Sequence, residues 1–434
     1  MEISECFKIS CNELEITEEE RIRWKEKRIR TICKRLNKKY YDSVSVEDNM
    51  IIVGSVGRNT AISGVSDWDC IYNLPKEVYK KFDEYESNGQ SQLLQEIKKE
   101  IKETYPNTNI KGDGQVVVIS FNDGKIELVP GFKQTDDSYK YPNSNDGGSW
   151  KKTNPIPEIA AAEEMNSLTN GHYKYLCQIM RKWKNNIGFK FKGLLIDTLV
   201  KDFMKENEDR INIDFVDYKT VVRDLFYFLS IQDKNRKYWR SLGSNQQISN
   251  DDEGKFIKKA IKAYSKLKDC EDDEEFKIAY IDLFGREFAG KTEASVLRAV
   301  NENFIEEMFE VDIRYNISLD CDIRQKGFRQ FSLSYYINKS WKLKKNKDLI
   351  FKVENVNIPN EMEDSIVWYW KVRNVGREAK RRNMERGGIR KGGEVWEEST
   401  TFSGEHYVEC YAVYEDVVVA RDRIAVPIDT INGV

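Results

Sequence analysis

Two aspartates one residue apart, Asp67 and Asp69, open the apolar run Cys70-Ile71-Tyr72, and this placement constrains the fold more than any other feature. Side chains alternate faces along a strand, so both carboxylates lie on one side, roughly 6–7 Å apart at their origins. An acidic pair at the mouth of a buried strand costs desolvation unless a cation accompanies it. Carboxylates at this spacing suit divalent ions about 3.5–4 Å apart, the arrangement for in-line phosphoryl transfer. Upstream, Ile51-Ile52-Val53 reads as a short buried strand and Gly54-Ser55 as a turn. The glycine lets backbone approach a ligand closely, and the serine places a hydroxyl beside N–H groups suited to phosphate oxygens. A nucleoside triphosphate with two magnesium ions fits the stretch. An Asp-x-Asp pair alone is common in solvated turns; the order strand, Gly-Ser, strand makes the combination specific.

A third acid is available in Lys125-Ile126-Glu127-Leu128-Val129-Pro130, a strand pattern with Glu127 on the face opposite Ile126 and Leu128. It follows the strand 115–121 across Asn122-Asp123-Gly124, a hairpin sequence. Beside the Asp67/Asp69 strand, Glu127 completes a three-carboxylate cluster that holds the metal at which an acceptor hydroxyl loses its proton. The alternative is an edge-strand glutamate facing solvent.

The pattern Gly54-Ser55-x-x-Arg58-x-Thr60-x-Ile62-x-Gly64-x-Ser66-Asp67-x-Asp69, then Glu127, resembles the polymerase-β-like nucleotidyltransferases. Within them it is similar to the bacterial cyclic-oligonucleotide synthases of anti-phage (CBASS) signalling, the CD-NTase family related to cyclic GMP–AMP synthase and oligoadenylate synthase. Trp150-x-x-Thr153-Asn154-Pro155 is similar to a segment of that family, as is the helix 173–183, although Arg181 stands where lysine is usual. Glu127 departs too, since many members carry aspartate; either acid binds magnesium. The resemblance covers roughly the first 300 residues. It implies an α+β polymerase-β-like lobe and a helical, oligoadenylate-synthase-like lobe.

At 434 residues the chain is long enough for two or three domains. Lys+Arg 70 against Asp+Glu 73 argues against a dedicated nucleic-acid coat, though not against local basic patches. No signal peptide is evident and no apolar run approaches membrane-spanning length. Eight cysteines with no Cys-x-x-Cys pair, and two histidines, argue against structural zinc and for a reducing, cytoplasmic setting.

Thr17-Glu18-Glu19-Glu20 is a capping-box start. Ile22, Ile29, Cys33, Leu36 and Tyr40 then recur at helical spacing to about Tyr41. The other face of this helix is dense with Arg and Lys between Arg21 and Lys39, either a nucleic-acid surface or a solvated helix face. In the resembled family it is a spine behind the catalytic lobe. Residues 93–105 read as an amphipathic helix, and 139–157, rich in Asn, Gly, Ser and Pro, as a loop. Mostly helical pattern follows from 158 to about 303. Arg181 and Lys184, with Lys192 a weaker candidate, lie where they could meet a triphosphate. Tyr227 and Tyr264 suit either base stacking or core packing.

From about 304 the period changes to two: 311–321, 331–337, 348–351, 365–372, 404–413 and 417–426 read as strands of a small all-β sandwich. Arg373-Asn374-x-Gly376-x-Glu378-Ala379, Arg386-Gly387-Gly388-Ile389 and Phe402-x-Gly404-x-His406-x-Val408-Glu409-Cys410 resemble the AGS-C domain, a presumed sensor module. Arg373, Arg386 and His406 with these glycines frame an anionic ligand, or are hairpin turns and surface pairs.

The expected organisation is a catalytic core (1–157), a helical lobe closing the cleft (158–303) and a β-rich sensor domain (304–434). The expected chemistry joins nucleoside triphosphates, ATP or GTP, into a cyclic di- or trinucleotide that a separate effector protein reads. Asp67, Asp69 and Glu127 hold two Mg²⁺, replaceable by Mn²⁺; Gly54, Ser55, Arg58, Thr153, Asn154, Arg181 and Lys184 contact the nucleotide. The sensor domain takes a phage-derived or host ligand, and no membrane is involved. Other readings are a linear-oligonucleotide, RNA- or protein-modifying nucleotidyltransferase, or a chain acting mainly as a ligand sensor.

Overall fold

The computed structural model describes residues 2–285, 288, 302–324, 327, 329–339, 341–344, 346–375, 379, 381, 386–400 and 404–428. The chain separates into two compact units, Met1–Lys182 with Lys192–Ala279, and Trp183–Phe191 with Tyr280–Val434.

In the first unit the capping box forms as the sequence requires. Thr17 Oγ1 accepts from the Glu20 N–H, and Glu20 Oε2 accepts from the Thr17 N–H. Glu20 also accepts from the Gly64 N–H and the Ser63 hydroxyl, pinning the loop ahead of Asp67 to the helix start. Glu18–Arg21, Ile22–Ile29 and Arg30–Tyr41 run on as one helical segment. Its middle stretch is π-helical, and the wider i→i+5 turn shifts the apolar phase. Trp24 therefore enters the core and stacks on Trp68 at 5.9 Å, while Ile22, expected on the buried stripe, faces out. Five cations of the basic face meet acids: Arg23 and Arg28 on Asp123, Arg30 on Glu26 and Glu47, Arg35 and Lys39 on Glu100.

The main sheet of this unit is built from β1 (Met50–Ile52), β2 (Asp67–Asn73), β3 (Asn109–Asp113), β4 (Val116–Phe121) and β5 (Gly124–Lys133) in the order β1-β2-β5-β4-β3. β1 and β2 are antiparallel, β2 and β5 parallel, and β4 and β5 form the expected hairpin. Trp68, Cys70, Ile126 and Leu128 point into a core shared with Leu93, Leu94, Ile97 and Ile101 of the helix Gly89–Thr104. The segment 139–157, expected to be a loop, contains a second hairpin, β6 (Tyr139–Asn143) and β7 (Ser149–Thr153), joined to the end of β5. Its Asn and Gly residues are the turn: Asp146, Gly147 and Gly148 all take positive φ. Helices Pro155–Leu168, His172–Ile187 (to Lys182 in this unit), Gly193–Lys205, Tyr218–Ser230, Lys255–Lys268 and Asp273–Phe284 follow, with the small ribbon β8 (Tyr238–Arg240) and β9 (Gln247–Ser249).

The second unit holds two sheets sharing one core. One contains β10 (Glu310–Val311), β14 (Val367–Val375), β15 (Ile389–Gly392), β17 (Gly404–Tyr414) and β18 (Val417–Ile428), ordered β10-β18-β17-β14-β15. The other contains β11 (Ser318–Arg324), β12 (Phe331–Ser332), β13 (Asp348–Glu354) and β16 (Val395–Ser399), ordered β12-β11-β13-β16. Leu319, Cys321 and Phe351 of one sheet pack with Trp370, Cys410 and Ala420 of the other, so the expected sandwich is present. Two strand expectations change. The alternating run 311–321 is divided between β10 and β11. Residues 331–337 give only a two-residue strand before the short helix Leu333–Asn338, because Ser332 caps it by accepting from the Tyr335 N–H.

Candidate active site

The parallel register places Asp67 opposite Lys125 and Asp69 opposite Glu127, which sets the three acids on one face of two neighbouring strands. The β1–β2 ladder continues into the turn, where the Val53 N–H donates to the Asp69 carbonyl at 2.8 Å. Gly54 follows with φ +63°, and a Cβ added there would lie 2.0 Å from Asp69 Oδ2. The glycine is thus required twice, by backbone conformation and by contact with a carboxylate. Burial, then Glu127 and Asp67, push the Asp69 carboxyl up to about 7, against the pull of Arg58 and Lys125.

Sequence reasoning missed Lys125. Its ammonium lies 2.5 Å from Glu127 Oε1 and 3.7 Å from Asp67 Oδ1, bridging two of the three acids. An all-carboxylate donor set suits a hard cation such as magnesium. The crowding of Glu127 and Asp67 around Asp69 is the chemistry such an ion relieves. Yet among the described residues no group of three or more His, Cys, Asp or Glu side chains is placed to hold a metal ion as it stands. The Lys125 ammonium stands between Glu127 and Asp67.

The cations expected on the nucleotide are placed otherwise. Arg58 and Arg181 are buried and converge on Asp197, which is fully enclosed on the helix Gly193–Lys205. Arg58 Nε donates to Asp197 Oδ2 at 2.7 Å, Arg181 Nη1 to Oδ1 at 2.7 Å, and the Thr60 hydroxyl to Oδ2 at 2.9 Å. Burial alone would raise the Asp197 carboxyl, but Arg181 and Arg58 outweigh it and bring it down to about 2. Arg58 also reaches Glu158 at 3.8 Å. The network continues into the Gly-Ser turn, since the N–H groups of Thr60 and Ala61 donate to the Ser55 carbonyl and that of Arg58 to the Gly54 carbonyl. These arginines therefore hold the turn in place. A lone Asp inside Leu194-Leu195-Ile196-Asp197-Thr198-Leu199-Val200 was the available signal for Asp197.

Thr153 ends β7 and Asn154 precedes Pro155 at the start of the helix Pro155–Leu168. Among the described residues, buried Asn154 Oδ1 has no hydrogen-bond partner. Lys184 falls in the second unit, where its ammonium donates to the Ile313 carbonyl at 2.8 Å and contacts Asp312. Lys192 binds the Ser249 carbonyl and Asp251. Tyr227 and Tyr264 pack on each other at 5.2 Å. In the second unit Arg373 pairs with buried Glu302, Arg386 with Glu398, and His406 Nδ1 with Asn374. Gly387 packs against Glu302; Gly376, Glu378 and Phe402 lie outside the described residues.

Residues 1–166 match the family model of the Second Messenger Oligonucleotide or Dinucleotide Synthetase (SMODS) domain, and residues 299–429 that of the Adenylyl/Guanylyl and SMODS C-terminal sensor (AGS_C) domain. The chain carries a SMODS synthetase domain and a C-terminal AGS-C domain. The SMODS match supports a nucleotidyltransferase. Its fold is shared with the apo form of Vibrio cholerae DncV, at a TM-score of 0.52 and 12% identity over 68% of this chain and 97% of that one. The E. coli MS115-1 CdnC structure with ATP aligns at a TM-score of 0.49 and 15% identity, covering 67% and 99% of the two chains. No curated protein sequence matches the chain. Among the described residues, no helix is long and apolar enough to cross a membrane.

Proposed function

We propose that this chain joins nucleoside triphosphates into a cyclic di- or trinucleotide messenger, for anti-phage signalling through a separate effector protein. The observation that carries the reading is the register that pairs Asp69 with Glu127 and sets Asp67 on the same face, with the Gly54 backbone against the Asp69 carboxylate. In this reading Asp67, Asp69 and Glu127 hold two magnesium ions, for which manganese substitutes. Magnesium bound there supplies charge neutralisation for the departing pyrophosphate and acidifies the attacking ribose hydroxyl. Gly54 and Ser55 grip the terminal phosphates through backbone N–H groups and the serine hydroxyl. Asn154, with its unpartnered side-chain oxygen, and Thr153 contact the nucleotide. Arg58 and Arg181 act at one remove, holding the turn through Asp197.

The test incubates the purified protein with each labelled triphosphate and their mixture, with Mg²⁺ or Mn²⁺. A phosphatase-resistant product that disappears in the Asp67→Ala/Asp69→Ala double variant is expected. A phosphatase-sensitive product would instead indicate a linear oligonucleotide, and equal product from the double variant would remove the metal assignment.

A further inference from the structure

Residues 324–347, in the second unit, contain eight Lys or Arg, five aromatic residues and no Asp or Glu, in a chain whose overall charge is close to balanced. The structure turns this composition into a surface. β12 and the helix Leu333–Asn338 bury Leu333, and Leu343 is anchored when its N–H donates to the Pro427 carbonyl. Around these anchors the large side chains face outward: Phe331 is 39% exposed, Tyr335 42%, Ile337 41% and Trp341 50%. Their rings form one connected group. Phe331 and Tyr335 stack at 5.8 Å, Tyr335 and Trp341 meet edge to face at 5.8 Å, and Tyr336 meets Trp341 at 5.6 Å. Contiguous exposed apolar surface of this kind marks an interaction site.

Cations dominate the charge around it, with exposed Asp348 opposite Arg324 across the β11–β13 ladder. Arg324, Arg329, Lys339, Lys342 and Lys344 are exposed, and the Arg329 guanidinium lies 6.0 Å from the Phe331 ring. The nearest acids on β11 are engaged elsewhere. Asp320 accepts from the N–H and hydroxyl of Ser334, and Asp322 pairs with Lys352. Exposed rings set among cations match a ligand that offers flat π-faces and regularly spaced negative charge together. A duplex presents its phosphates but hides its base faces in the stack, leaving the rings unused.

We infer that the exposed aromatic group Phe331–Tyr335–Trp341, with its surrounding lysines and arginines, is a binding surface for single-stranded nucleic acid. Bases stack on the rings, and phosphates meet the cations. This inference stands apart from the acid cluster of the first unit. It assigns the ligand class at a place distinct from Arg373 and Arg386, whose charges are matched by Glu302 and Glu398.

The test uses the full chain and fluorescence anisotropy with labelled single strands of about 20 nucleotides, DNA and RNA, against a duplex of the same length. Single strands should bind more tightly than the duplex, with affinity falling steeply as salt rises. Tyr335→Ala and Trp341→Ala should each weaken binding about tenfold, because each removes a stacking platform. Trp341→Phe, which keeps a ring, should retain most of the affinity, and Lys342→Gln/Lys344→Gln should flatten the salt dependence. No binding at low salt, equal affinity for the duplex, or an unchanged affinity in a folded Tyr335→Ala/Trp341→Ala variant would overturn the inference. So would tighter association with phosphatidylserine vesicles than with single strands.

Discussion

Glu127 lies directly across the parallel ladder from Asp69, so the third acid of the cluster reaches the site through strand pairing between segments more than fifty residues apart. That pairing needs β1 on one side of β2 and the β4–β5 hairpin on the other, with Ile126 and Leu128 buried in the core behind the acids. The core face thereby fixes the acidic face, because a one-residue slip would turn Glu127 inward and Ile126 out.

Glu127→Gln keeps the shape of the side chain and removes its charge. Product formation from labelled triphosphates is expected to fall about a hundredfold or more. The thermal midpoint should stay near that of the unaltered protein, because the side chain is partly exposed and outside the core. A variant of undiminished activity would place the metal elsewhere.

Gly54→Ala introduces a Cβ into the space of Asp69 Oδ2 at a positive φ. The left-handed backbone costs a non-glycine residue about 1 kcal/mol, and the contact with Asp69 adds to it. Both a lowered denaturation midpoint and loss of product formation are expected. Activity at the unaltered level would show that the turn and the carboxylate are not in contact during catalysis.

Lys125 is a rival to any cation at the acids, since its ammonium bridges Glu127 and Asp67. Lys125→Met keeps the aliphatic stem and removes the charge, and is expected to tighten Mn²⁺ binding about tenfold in a calorimetric titration. Equal Mn²⁺ affinity with and without the lysine charge would show that the ammonium does not oppose the ion. Failure of both proteins to bind would count against the three-acid metal site itself.

Asp197 holds two buried arginines, and Asp197→Ala would leave both without their carboxylate. Breaking such a buried pair is expected to cost about 3–5 kcal/mol, read from chemical denaturation. The pH dependence follows from its depressed carboxyl, about 2 in the folded chain against about 3.9 unfolded. The unfolded state takes up the proton first as pH falls. The stabilisation is complete above about pH 4 and drains away through about pH 2, a loss of about 2–3 kcal/mol. Asp197→Asn, which cannot ionise, should flatten this part of the acid limb.

Much of the candidate site was legible because its residues are local. The Gly54-Ser55 turn, the alternation of Asp67 and Asp69, and the Asn122-Asp123-Gly124 hairpin each follow from a few neighbouring residues. Where the local pattern had two solutions, packing chose between them. Tyr139-Lys140-Tyr141 looked like loop because Asn and Gly crowd the sequence, but those residues only make the turn of a hairpin. Phe331 to Ile337 alternates like a strand, yet the Ser332 cap and the burial of Leu333 alone make a short helix. Ile22 has helical spacing, and a π-helical stretch nonetheless moved Trp24 into its place.

The sequence by itself determined which groups carry charge and which strands could be buried, because hydrophobic period and turn chemistry act over a few residues. It also marked the chain as a nucleotidyltransferase through the order of glycine, serine and acids. Only the tertiary structure decided what each charge meets. Arg58 and Arg181 read as phosphate ligands until Asp197, far along the chain, was found enclosed between them. Lys125 read as an ordinary strand residue until the ladder set it opposite Asp67. Burying a charge is costly unless its partner is brought to it, and partners distant in sequence are chosen by the packing of the whole unit.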